Sequence, residues 1–192
     1  MNMLLIFEIV LLLACIFSLA MMRRSYFPVN LFWAVGVTAI GAAAALGAFV
    51  YAGFDSVAPY HTTVTRFAGS VGLVSLALAA AGGIFSRQFH QAGWWIVLIG
   101  IMALVGVLLF DAWQLSENVR YGVIGVLVLA AVYRLLSAFS IGIFLAAGTA
   151  FLVIAGTAAG SVASMVGMNS TNLYHLLLSV AVLLFGIYAM KE

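Results

Sequence analysis

Apolar positions dominate this chain in long blocks, broken at intervals by short polar stretches. Read between those breaks, they predict membrane-spanning helices near 3–22, 30–53, 66–86, 93–114, 120–136, 140–166 and 172–190. Each block is close to the 20 or so apolar residues that a helix needs to cross the hydrocarbon layer. The fifth and sixth are separated only by a predicted tight turn around Ser137 to Ser140. The stretch 121–167 carries a single charge, Arg134, and is too long for one crossing even when tilted. Arg134 is expected to snorkel from there to the interface. The predicted fold is therefore all-α, a single transmembrane domain over 1–192 made of about seven spans.

Basic residues then sort the connections, since positive charge in short loops marks the cytoplasmic side. Arg23, Arg24, Arg87, Arg134 and Lys191 fall on one side, Arg66 and Arg120 on the other. The expectation is an N-terminus outside and a C-terminus in the cytoplasm, and an odd number of spans is needed to keep these charges together. Trp33, Trp94, Trp95 and Trp113 lie near predicted span ends, where amphipathic rings favour the headgroup region. The first block is not expected to be a cleaved signal, because its arginines follow the apolar run instead of preceding it.

Composition agrees with the pattern and narrows the chemistry. Apolar residues make up 67% of the chain and charged ones 6%, with a formal net charge of +2. No basic cluster is available to follow a phosphate backbone, so nucleic-acid binding is excluded. The lone cysteine, Cys15, lies inside the first apolar block and reads as a small core residue. Small residues at spacings of four, including Gly41 to Gly47 and Gly156, Gly160 and Ser164, predict close helix packing. The Gly156 and Gly160 face also suits a homo-oligomer or another membrane subunit.

The few polar residues at membrane depth stand out, because an ionisable group there is costly unless paired or hydrated. Glu8 lies in the second turn of the first span, Asp111 near the end of the fourth, and His175 near the start of the seventh. His61 falls in a predicted loop after the second span, with Asp55 close by. By the predicted topology all five gather at the outer face, whereas the inner one offers arginines, Lys191 and His90. Such a cluster suits a metal, a general base or a proton relay. The alternative is structural: Glu8 and Asp111 bonded to Ser, Tyr or Asn of neighbouring helices, Asp55 and His61 solvated, and His175 capping its helix. The run Ala68-Gly-Ser-Val-Gly72 has the small residues of an intramembrane serine nucleophile but no histidine in a matching place.

The last span reads Asn169-Ser-Thr-Asn-Leu-Tyr-His175-Leu-Leu-Leu-Ser-Val-Ala-Val-Leu-Leu-Phe-Gly-Ile-Tyr188. It resembles the closing N-D-L-Y-H segment of a group of uncharacterised bacterial seven-helix membrane proteins, over about twenty residues. That group in turn is remotely similar to the metal-dependent membrane hydrolases that include alkaline ceramidases and adiponectin receptors. The resemblance implies that Asn172, Tyr174 and His175 occupy the motif's polar positions, with His175 a ligand or base. Two departures weaken the implied zinc site. Tyr51-Ala52-Gly53 stands where a tyrosine-histidine pair is expected, and Ser170-Thr171 where a histidine and an aspartate often stand. Zinc would need three protein ligands and an open position, so His175 would have to draw on Asp111, Glu8 and His61.

The leading expectation is a non-catalytic protein of a bacterial inner membrane, an accessory or lipid-contacting subunit of a membrane complex. One alternative is a metal-dependent lipid hydrolase with His175, Asp111 and Glu8 as catalytic residues and His175, Asp111 and His61 on the metal. A second is a transporter of a small solute or protons through Glu8 and Asp111.

Overall fold

The structure is a computed structural model that describes residues 3–85, 93, 99–101, 106 and 114–192. All regular elements among these residues are helical, and six helices are long and apolar enough to cross a membrane. The chain is thus an integral membrane helix bundle by length and composition. The predicted fourth span, with Asp111 and three of the four tryptophans, lies almost wholly outside the described residues, as do Arg87 and His90 before it.

Helix α1 covers Met3–Met22 and α2 covers Val29–Tyr51. After α2 the chain turns at Gly53, whose φ of +100° only glycine adopts without strain. A short 3-10 turn, Asp55–Val57, leads straight into α3, Ala58–Phe67, a π-helical turn at Ala68–Gly72, and α4, Leu73–Phe85. These form one 31-residue rod, Asp55–Phe85. Helix α5 is Glu117–Ser137, α6 is Phe139–Val166 and α7 is Ser170–Lys191. The turn between α5 and α6 is centred on Ala138, within the predicted interval. Asn169 caps α7 by accepting a hydrogen bond from the Thr171 backbone N–H at 2.9 Å.

The third span differs most from its prediction. Helix begins eleven residues earlier than 66, at Asp55, so His61 sits on a helix and not in a loop. This first part is polar, with His61, Thr62, Thr63, Thr65 and Arg66, and hydropathy alone cannot see it. Pro59 in the opening turn fixes a helical φ where an N–H would have no partner anyway. The hydroxyls of Thr62 and Thr63 donate to the carbonyls of Ala58 and Pro59, at 3.1 and 3.0 Å, which satisfies them within the helix.

The helices pack as a ring: α1 against α2, α2 against α4, α4 against α5, α5 against α6, α6 against α7, and α7 back against α1. At the end where α1 stops and α2 starts, the ring is filled solid. Trp33, Phe185 and Tyr188 are fully buried there, with ring centroids 5.4 Å (Trp33–Phe185) and 5.9 Å (Trp33–Tyr188) apart. Trp33 therefore belongs to the core and not to an interfacial belt, because α7 delivers two aromatic partners beside it. Arg134 also departs from expectation. It does not reach for headgroups but pairs with Glu192 and donates to the Gly83 carbonyl at 2.7 Å. Tyr188 donates to the same Glu192 carboxylate at 3.0 Å.

Small residues set how closely the helices approach. A Cβ on Gly186 of α7 would lie 2.5 Å from Ser18 Oγ and 2.9 Å from Ser18 Cα on α1. Ser18 donates to the Val182 carbonyl at 2.9 Å across the same contact. Because backbone is in the way, relief requires the helices to part. Gly186→Val is expected to destabilise the fold by about 2–3 kcal/mol, visible as a lowered thermal midpoint of the detergent-solubilised protein. Cys15 is buried as expected, against Gly41. By contrast, a Cβ on Gly156 or Gly160 of α6 would meet open space.

Candidate functional site

At the opposite end the ring is not filled. A cavity of about 420 Å³ opens there, and all six described spans contribute to its wall. Leu11, Ile40, Leu76, Ile124, Leu152 and Leu178 form its apolar part, and Glu8, His61, His175, Tyr51, Tyr174 and Arg120 supply polar groups. The opening follows from residue size. Ala43 and Ala44 of α2, Ala68 and Gly69 of the π-helical turn, and Gly156 of α6 line the wall where larger residues would close it.

The buried centre of the polar part is a carboxylate–imidazole pair. Glu8, in the second turn of α1, is 1% exposed, and its Oε1 lies 3.3 Å from Nε2 of His175, in the second turn of α7. His175 is held by helix α7, whose Ser179 hydroxyl donates to the His175 carbonyl at 2.7 Å. His61 joins from α3. A Cβ at Gly47 would collide with the Glu8 carboxylate and stand 3.1 Å from His61 Nε2, so the two groups flank one glycine. Tyr51 stands edge-on to His61 with centroids 6.5 Å apart, and Tyr174 edge-on to His175 at 5.4 Å. Both phenols are within electrostatic reach of Glu8.

The environment defines what these groups can do. A buried carboxylate is tolerable only when paired and hydrogen-bonded. Glu8 Oε1 has His175, but Oε2 has no hydrogen-bond partner among the described residues. An acceptor left in this state costs roughly 1–3 kcal/mol or more, and Glu8 is one of the residues that line a cavity large enough to admit a donor. The site is thus suited to accept a hydrogen bond from a hydroxyl, an amine or a water.

Glycine at 47 is what permits this arrangement. Gly47→Ala is expected to push the Glu8 carboxylate off His175 and open the cluster, with a loss of about 1–3 kcal/mol from overpacking. A thermal melt would register the loss, and pairing Gly47→Ala with Glu8→Ala, which removes the obstructing carboxylate, would restore part of it.

Of the residues singled out from the sequence, Glu8, His61 and His175 converge on the cavity, and Asp111 lies outside the described residues. Asp55 is exposed in the turn before α3 and is not part of the wall. His175 does not cap α7, since Asn169 does, and Glu8 is held by an imidazole instead of by Ser, Tyr or Asn. Ser70 is buried with its hydroxyl donating to the Arg66 and Phe67 carbonyls at 2.8 and 3.3 Å, so it is not presented as a nucleophile. Tyr51 lines the cavity, and the histidine that stands beside it comes from α3. Among the described residues no three His, Cys, Asp or Glu side chains form a group that could hold a metal ion. Tyr51, Arg120 and Gly47 were not foreseen, though Tyr51 and Arg120 stand at predicted span ends where a cavity mouth would draw on them. Compared with known proteins, the chain matches no protein-family model, no curated protein and no solved structure.

Proposed function

We propose that this chain is a lipid-binding membrane protein that takes a single amphiphile into the cavity. The polar end of the ligand lies against Glu8, His175 and His61, and its hydrocarbon part along Leu11, Ile40, Leu76, Ile124, Leu152 and Leu178. One observation carries the reading: a largely apolar cavity built by six spans ends in a buried carboxylate with an unused acceptor oxygen. Pockets that recognise small molecules have this composition, apolar walls with a few placed polar groups. Tyr174 and His175, two of the polar positions in the resemblance to the closing motif of bacterial seven-helix membrane proteins, both line this cavity.

In this reading the chain spans a bacterial inner membrane seven times, with its N-terminus outside, and the cavity opens at the outer leaflet. Support comes from where the described helices end. The rod stops at Phe85 beside the Glu192 end of the bundle, and α5 begins at Glu117 beside the cavity, so the chain leaves at one face and returns at the other. Those two ends suit the odd number of crossings that this reading needs.

Extraction of the protein without detergent exchange, followed by mass spectrometry of bound lipid, tests the proposal. Wild type is expected to retain one lipid species in near-stoichiometric amount, and the cavity-filling variants Ala44→Trp and Gly156→Trp to lose it. Equal retention by filled and unfilled protein would overturn the reading.

A second reading is hydrolysis of the bound amphiphile, favoured by the free Oε2 of Glu8. With Oε1 held by His175, Oε2 has the place of a general base that takes a proton from a water entering the cavity. Cleavage of the retained lipid over time, abolished in Glu8→Gln while retention persists, would distinguish it from binding alone.

A further inference from the structure

Resting on the amphiphile-binding reading above, we infer that Arg120 makes the cavity selective for an amphiphile with an anionic head, a phosphate or a carboxylate. Arg120 is the one lysine or arginine among the described residues that line the cavity. Its carboxylate neighbour, Glu117, lies 3.8 Å away, one turn earlier on the same helix, and the two side chains are 47% and 69% exposed. A pair so open to solvent contributes little. The guanidinium is therefore available to a better anion, and its planar fork of donors matches phosphate or carboxylate oxygens two at a time.

Two further features favour negative charge at this mouth. Helices α5 and α7 both start here, and the positive ends of their dipoles point to the same side. The first turn of α5 has no side-chain cap, Ser116 making no such hydrogen bond, and Thr171 from the first turn of α7 lines the cavity. Glu8 does not oppose this. Its carboxylate is buried and paired with the His175 imidazole at 3.3 Å, so it is not presented to solvent at the mouth. The layout is then a cation at the rim, a hydrogen-bond acceptor and two imidazoles deeper, and apolar walls beyond.

Equilibrium binding of radiolabelled dodecyl phosphate to the full chain in phosphatidylcholine nanodiscs, corrected with empty discs, tests the inference. Unlabelled laurate is expected to compete, dodecyl maltoside to compete at least tenfold less well, and inorganic phosphate not at all, which separates a lipid head from a free anion. Arg120→Gln is expected to weaken dodecyl phosphate about tenfold or more, the worth of one charge-assisted contact. Arg120→Lys is expected to lose less, and Glu117→Gln to bind as tightly as wild type or tighter. Arg66→Gln, an exposed arginine outside the cavity wall, controls for general surface charge and should bind unchanged. If Arg120→Gln binds as wild type does, or if dodecyl maltoside competes as well as laurate, the anionic selectivity is overturned while the cavity reading stands. If no amphiphile binds and Ala44→Trp behaves like wild type, both fall.

Discussion

Replacing His175 with leucine is expected to destabilise the bundle by about 3–5 kcal/mol, because it removes the partner of a buried carboxylate and leaves both of its oxygens unpaired. Leucine preserves most of the apolar volume, so the loss reports the polar contact and not a cavity. For a chain of this length that corresponds to a fall in thermal midpoint of roughly 10 °C. Glu8→Leu leaves a neutral imidazole behind and should cost less. The double variant Glu8→Leu with His175→Leu should recover much of the loss, since replacing a whole buried pair by apolar groups is often nearly neutral. A double-mutant cycle on detergent-solubilised protein would then give a coupling of about 1–3 kcal/mol between the two positions. Additive losses would mean that the two groups do not interact.

The second large effect belongs to the opposite end of the bundle. Arg134 ties three segments together, since it sits on α5, donates to the Gly83 carbonyl on α4 and pairs with Glu192 after α7. The side chains of Arg134 and Glu192 are 21% and 5% exposed. Arg134→Leu is expected to cost about 3 kcal/mol or more, because it removes the cation that pairs with a buried carboxylate and leaves Glu192 only the Tyr188 hydroxyl. Gly83 itself makes room for the pair, as a Cβ there would collide with the Glu192 carboxylate. Arg134→Lys retains the charge but not the fork that reaches carbonyl and carboxylate together, and should fall between leucine and wild type. Thermal melts of the three proteins give the order directly. An Arg134→Leu protein as stable as wild type would show that the pair contributes nothing.

Much of this fold is written in the hydropathy of the chain. The blocks at 3–22, 120–136, 140–166 and 172–190 correspond within a few residues to α1, α5, α6 and α7, because lipid demands nearly unbroken apolar sequence and polar residues fall only at the ends. The candidate site was legible in part for the same reason. Glu8 and His175 are so rare at membrane depth that each draws attention, and span counting puts both at one face. What span counting cannot supply is rotation about each helix axis, and it is rotation that turns Glu8 and His175 toward each other at 3.3 Å.

Three features stayed hidden for identifiable causes. The polar half-turns of α3 satisfy their own hydroxyls, so a helix carrying His61 looks like a loop. Trp33 looks like an interfacial ring because nothing in its own span shows that Phe185 and Tyr188 will surround it. Arg134 looks like a snorkelling cation because its partner lies 58 positions away in the chain. For Trp33 and Arg134 the decisive neighbour is distant in sequence, and only packing brings it near.

A high-resolution structure of the protein extracted with its surrounding lipid tests the central claim most directly. The expected result is elongated density between the walls formed by Leu11, Ile40, Leu76, Ile124, Leu152 and Leu178, ending in a polar head that reaches Glu8 Oε2. A cavity closed by its own side chains, or a Glu8 carboxylate turned away from both His175 and the cavity, would contradict it.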